Sequence, residues 1–233
     1  MANGKRLTAG VLFLGLALAT ACCPAQVSIA DSAISLGMVT AGYGGYMPGG
    51  DLARRQVRCW SDADGARLSI ARRMYAWRLG EVLPHDDIAV LRGIEGARMK
   101  ETYRLTAQRF SVPWHGRRYD RSNPGADDVP NQAINHAATA VEAAATIAVT
   151  ATATVPQLGF IHEDSGQAFV LDIADLYRDS VTLPVAFRAA ARAVKEPNRS
   201  IDRLVRQIAG ETFRRDEVIP GMIEKIKELF GAA

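Results

Sequence analysis

The sequence is short of several things, and each shortage removes a class of protein. Three cysteines, Cys22, Cys23 and Cys59, are too few for a disulfide framework, and no CxxC or Cys/His spacing for zinc is present. That count makes a reduced compartment the default. Aromatics are sparse at 7%, and no internal repeat of fixed period runs through the chain. Neither sign of charge dominates: 28 Lys plus Arg face 25 Asp plus Glu, a net +3 that does not by itself demand a polyanionic partner. The longest apolar run, Leu7 to Ala21, is too short to cross about 30 Å of hydrocarbon comfortably as a helix.

What is present is an ordinary globular balance, 48% hydrophobic and 23% charged over 233 residues, enough for one large or two small domains. Disorder and a polytopic membrane protein are both excluded by it. At the front, Lys5 and Arg6 precede the apolar run, which ends in Ala19-Thr20-Ala21-Cys22. These are signal-peptide proportions, and the small residues before Cys22 resemble a bacterial lipoprotein lipid-modification box. Against export stand the later motifs, which describe an intracellular, cytoplasmic chemistry. Gly42 to Gly50 (GYGGYMPGG) is turn-rich. The chain therefore divides into an atypical, irregular or signal-like segment 1–40, a linker 41–61 and a body 62–233.

The body reads as mainly α, a helical bundle, because apolar positions recur at three and four. Leu68, Ala71 and Tyr75 share a face in a segment closing near Gly80. A second runs from about Asp87, with Asp86 or Asp87 as cap and Ile88, Leu91, Glu95, Met99 and Thr102 along one stripe. A loop from Ser111 to Pro130 leads to a segment with ten alanines between Ala133 and Ala153. Side chains that small let helices approach closely, so this is expected to be a central, buried helix. Glu163 to Gly166 is a turn. Helices around Val185–Val194, Ser200–Phe213 and Gly221–Phe230 close the chain.

Some charged residues lie where core is expected. Glu95 shares its stripe with Leu91 and Met99, and a buried carboxylate is costly unless paired or bound to a cation. The plain alternative is a boundary residue pairing with a nearby arginine. His162 follows the apolar run Leu158 to Ile161, while Asp172 and Asp175, three apart, put two carboxylates on one helical face. Taken singly, His162 could be a satisfied core histidine, and the two acids a cap and a solvated residue. Together, one imidazole and up to three carboxylates form a mixed oxygen and nitrogen donor set without thiolate. Such a set suits Mg²⁺ or Mn²⁺ better than Zn²⁺, the imidazole favouring manganese. Ions of this kind neutralise charge developing on a phosphoryl group, as in metal-dependent nucleases and strand-transfer enzymes.

The charge distribution agrees. From Arg92 to Arg121 there are eight basic residues against Glu95, Glu101 and Asp120, and Trp114, Arg117, Arg118 and Tyr119 interleave aromatics with arginines. This suits contacts to a nucleic-acid backbone, with stacking on any unpaired base. The plain alternative is a solvated arginine-rich helix and loop.

Three strings, LRGIEGARMKETYRLTAQRF (Leu91 to Phe110), WHGRRYD (Trp114 to Asp120) and LGFIHEDSGQAFVLDIADLYR (Leu158 to Arg178), resemble the CRISPR-associated endonuclease one family, closest in flavour to subtype I-E. The similarity covers roughly residues 41 to 233. The resemblance implies that Glu95, His162 and Asp175 are ligands of Mg²⁺ or Mn²⁺ and that Asp172 is an accompanying catalytic carboxylate. Arg92, Arg98, Arg117, Arg118 and Tyr119 are the candidate DNA contacts, Tyr119 aligning with a family tyrosine near the active site. The implied activity is that of a metal-dependent DNA endonuclease and integrase which inserts captured double-stranded fragments into a CRISPR repeat as new spacers. The implied partners are a second copy of the chain and the CRISPR-associated protein two.

Residues 1 to 40 depart from the family, which has an amino-terminal β-sandwich there. The expectation is a truncated or frame-disrupted member, a reading that translation of the upstream DNA in all frames would test. Dimer assembly is doubtful without the sandwich. Two other readings stand beside the enzyme: a catalytically idle remnant that only binds DNA or partner protein, and an exported helical lipoprotein supported only by residues 1 to 26.

Overall fold

A computed structural model describes residues 50–62, 65–118 and 128–231. The segment 1–40, Cys22 and Cys23 lie outside that range. The described residues form eight α-helices and one π-helical turn, with no strand among them: α1 (Gly50–Ser61), α2 (Ala66–Leu79), α3 (Ile88–Arg109), α4 (Val129–Ala151), α5 (Ala168–Asp175), the π-helical turn Arg178–Thr182, α6 (Leu183–Lys195), α7 (Ile201–Arg215) and α8 (Val218–Leu229). The expected mainly helical bundle is the fold observed.

The alanine-rich α4 is its axis, packed against α5, α6, α7 and α8. Its buried face is Ala133, Ile134, Ala137, Val141, Ala144, Ala145, Ala148 and Val149. With mostly methyl groups on that face, neighbouring backbones come close and larger side chains fill the space from the other side. Among these are Phe169, Phe187, Leu204, Ile208 and Met222, all fully buried. Asp128 caps α4 by accepting from the Asn131 N–H at 2.9 Å, and Pro130 in the first turn sacrifices no hydrogen bond. Asp87 caps α3 in the same way, accepting from the Ala89 N–H at 2.7 Å.

The expected linker 41–61 gives way to helix from Gly50. Leu52, 4% exposed, and Gln56, fully buried, put one face of α1 into the body, with Cys59 packed at its edge. This 52, 56, 59 stripe is helical spacing, disguised in the sequence by Arg54, Arg55 and Arg58 on the other faces and by the glycines just before it. α1 also closes the far end of the chain: Arg55 Nη1 donates to the carbonyls of Phe230 and Gly231, at 3.1 and 2.7 Å.

Among the described residues, no helix is long and apolar enough to cross a membrane.

Candidate active site

The site is assembled where the ends of α2 and α5, the middle of α3 and the loop before α5 meet. That loop, Val155 to His162, is shaped from outside by α1. The Gln56 amide donates to the carbonyls of Val155 and Leu158, both at 3.0 Å, and accepts from the Val155 N–H at 2.7 Å. Trp60 Nε1 donates to the Gly159 carbonyl. Gly159 is required sterically, since a Cβ there would lie 2.3 Å from the His162 carbonyl oxygen and 2.7 Å from the Ala168 Cβ.

From inside, the loop is held by Asp172. This carboxylate has no solvent exposure, and its Oδ2 accepts from the N–H groups of Phe160 and Ile161 at 2.5 and 3.2 Å. Its Oδ1 accepts from the His162 N–H at 2.9 Å and meets His162 Nδ1 at 2.8 Å. Because an ionised carboxylate can only accept, Nδ1 carries the proton and Nε2 is left for the open side, 3.9 Å from Asp175 Oδ2. The bond to Asp172 raises the His162 pKa above its ordinary value, while burial opposes it. His162 is 37% exposed at its side chain and is therefore not a core histidine.

Asp172 and Asp175 lie on the same helix but in different surroundings. Asp175, at the end of α5, pairs with Arg178 at 2.6 Å and with Arg78 Nη1 at 3.3 Å. Beyond it the backbone widens to i+5 pairing, with Thr182 N–H bonded to the Tyr177 carbonyl and Leu183 N–H to that of Arg178. Pro184, lacking an N–H, cannot complete an ordinary helical turn onto Ser180. Glu95 reaches the site from α3 and pairs with Arg78 Nη2 at 2.7 Å. The arginine-paired alternative for Glu95 is thus the arrangement present, although burial outweighs Arg78 and holds the Glu95 carboxyl above the usual range.

Sequence reasoning missed four members of this cluster. Arg78, 4% exposed at its side chain, lies one turn beyond the buried Met74 on α2, a legible but unread stripe position. Glu142, the only carboxylate in α4, faces Asp175, Arg178 and His162 electrostatically, and burial raises its pKa. Arg178 and Asp179 stand on the π-helical turn, and burial raises Asp179 also. Among the described residues, no three His, Cys, Asp or Glu side chains converge closely enough to hold a metal ion, because a guanidinium stands between Glu95 and Asp175.

The candidate DNA contacts separate. Arg92 flanks the site, donating to the Ile161 carbonyl at 3.0 Å, and lines a cavity of about 540 Å³ with His162, Glu163, Asp164 and Ser165. Arg98 pairs with Glu81 on the surface. Arg117 is exposed but tethered, donating to Asn131 Oδ1 at 3.0 Å and Asn135 Oδ1 at 2.6 Å, which ties the loop to α4. Arg118 is exposed, and Tyr119 lies outside the described residues. Trp114, expected to offer a stacking face, is already stacked on Tyr103 at 5.3 Å and meets Phe187 edge-on at 5.4 Å.

Residues 62–203 match the family model described as CRISPR associated protein Cas1. The chain belongs to the Cas1 family. It is 36% identical over 194 residues to the CRISPR-associated endonuclease Cas1 of Geobacter sulfurreducens, covering 82% of this chain and 62% of that one. It is 34% identical over 194 residues to the Escherichia coli K12 Cas1, with the same coverage. Cas1 endonucleases of Geobacter sulfurreducens, Rhodospirillum rubrum and Escherichia coli match at 34–36% identity, so identity does not single out a subtype. The crystal structure of the TtCas1–DNA complex superposes with a TM-score of 0.70 at 34% identity, covering 77% of this chain and 65% of that one. The chain thus spans about three fifths of the length of these two curated Cas1 relatives.

Proposed function

We propose that this chain is the helical, nuclease-bearing part of a cytoplasmic, metal-dependent DNA endonuclease and integrase of CRISPR adaptation, which integrates captured foreign DNA as new spacers. The observation that carries the reading is a charge deficit. Glu95, Glu142 and Asp179 each interact electrostatically with Asp175, with Arg178 beside all three and Arg78 beside Glu95 and Asp179. When ionised, these four carboxylates outnumber the two permanent cations by two, an excess that a divalent cation such as Mg²⁺ or Mn²⁺ would offset.

In donor chemistry the residues fit such an ion: Glu95, Asp175 and His162 Nε2 would hold it. Bound there, it would supply Lewis-acid polarisation of a phosphodiester and neutralise charge on the leaving oxygen. The rest is the work of the chain. Asp172 acts through His162, fixing its tautomer and ring orientation from a fully buried position, so it is a positioning residue rather than one that meets DNA. Arg92 and Arg118, with Arg98 once released from Glu81, would bind backbone phosphates, which confers affinity without sequence choice. Tyr119 is proposed as a further DNA contact from its GRRYD motif alone. A second copy of the chain and the CRISPR-associated protein two are the proposed partners.

A second reading, an idle remnant that only binds DNA or partner protein, is favoured by the guanidinium between two of the three proposed ligands. Cleavage and strand-transfer assays on linear and branched DNA with Mn²⁺ or Mg²⁺, beside Glu95→Ala, separate the two. Metal-dependent products that vanish with Glu95→Ala support the enzyme; a folded sample that binds DNA without cleaving it supports the remnant.

A further inference from the structure

Arg78 is the least expected member of the site. Its side chain is 4% exposed, its Nη2 lies 2.7 Å from Glu95 Oε1, and its Nη1 lies 3.3 Å from Asp175 Oδ2. Even so, its Nε and Nη2 have no aligned hydrogen-bond acceptor among the described residues. A guanidinium cannot shed its charge in a protein, so Arg78 is a permanent cation standing between two carboxylates proposed to share a divalent ion. An ion of about 2.1–2.2 Å bond length cannot be shared across an intervening guanidinium. One acceptor lies ready nearby: Asp179 Oδ1 is buried without a hydrogen-bond partner among the described residues, on a carboxylate that Arg78 already influences electrostatically. An unpaired buried carboxylate oxygen costs free energy, which a guanidinium arriving there would recover.

We propose that Arg78 is a resident counter-cation which a divalent metal displaces, its guanidinium passing from Glu95 and Asp175 to Asp179. This rests on the reading of Glu95, His162 and Asp175 as metal ligands. Metal-free, the arginine keeps the two acids from repelling each other. Metal-bound, the same charge moves one turn along the α5 and π-helical segment and screens Asp179 instead. The site exchanges one cation for another, so its apparent affinity is set by the arginine as well as by the ligands.

The test uses the full chain and metal ions alone. Free Mn²⁺ is followed by electron paramagnetic resonance to obtain affinity, and the Arg78 ¹⁵Nε–Hε signal is followed by NMR during a Mg²⁺ titration. Arg78→Gln is expected to bind Mn²⁺ about tenfold tighter, since a competing charge at contact distance is removed. Asp179→Asn, which removes the charge awaiting the guanidinium, is expected to bind about tenfold more weakly, and this loss should disappear in the Arg78→Gln background. In the wild-type chain the Arg78 signal should move with the same midpoint as Mg²⁺ binding, a readout that does not depend on any variant folding. A stationary Arg78 signal in a chain that binds metal, or unchanged affinity in Arg78→Gln, overturns the exchange and leaves the metal reading standing. No Mn²⁺ binding in wild type, or binding indifferent to Glu95→Ala and Asp175→Ala, overturns both.

Discussion

Asp172 holds the ring of His162 and the backbone that carries it with the same oxygen: Oδ1 lies 2.8 Å from Nδ1 and 2.9 Å from the His162 N–H, while Oδ2 takes the two preceding amides. One buried carboxylate therefore fixes both where the imidazole is and which nitrogen it presents.

Replacing Asp172 with Asn keeps the shape but puts an amide donor among four donors. The expected cost is about 2–4 kcal/mol, read from denaturant unfolding. The His162 pKa, raised chiefly by that bond, should fall toward its ordinary value in an NMR titration. The sign follows from linkage. A histidine raised on folding stabilises fully below its unfolded pKa, and the contribution is lost as pH rises through the folded one. Asp172→Asn should therefore remove the part of wild-type stability that declines above about pH 6.5.

Glu142 gives the opposite test on an acid. Its pKa is raised first by burial and then by Asp175, so the folded state holds its proton more tightly than the unfolded chain does. Ionised Glu142 is thus a burden at neutral pH that is relieved as pH falls through its raised pKa. In metal-free protein, Glu142→Gln should raise Tm by a few degrees at pH 7.5 and lose that advantage at a pH below the ordinary glutamate pKa of about 4.3. An unchanged Tm at both values would remove Glu142 from the cluster.

Gln56→Leu preserves volume while deleting three hydrogen bonds to Val155 and Leu158. The buried carbonyls and amide left behind should cost about 2–4 kcal/mol. Amide exchange should accelerate in the loop 155–162 before it does in α4, because the loop is what Gln56 holds.

Two neighbouring arginines should behave differently. Arg117→Ala breaks the bonds to Asn131 and Asn135 and should lower stability measurably. Arg118→Ala, at an exposed position, should leave Tm unchanged and weaken DNA binding equally across sequences, lowering the salt slope by about 1. Equal effects of both on DNA and neither on Tm would contradict the loop-tethering role of Arg117.

The helices and the candidate ligands were legible because each has a local signature. Three-and-four periodicity marks α2 to α4, and Glu95, His162 and Asp175 stand out as polar interruptions of apolar runs. What escaped depends on packing at a distance. The stripe of α1 is only three residues wide, and its partners Val155 and Leu158 are about a hundred positions away. Arg117 and Trp114 look like a nucleic-acid surface in composition, yet the asparagines of α4 and the rings of Tyr103 and Phe187 claim them. Arg78 sits at a helical position that periodicity marks as inward, but nothing local tells an inward arginine that it will stand between two acids.

The methyl-lined face of α4 also limits how this protein can change over generations. At Ala137, Ala144, Ala145 and Ala148 a larger side chain would meet neighbouring helices already in contact. Drift along α4 is therefore confined to its outer positions, and the one charge it carries toward the site, Glu142, is held in register by residues that have almost no freedom to be replaced.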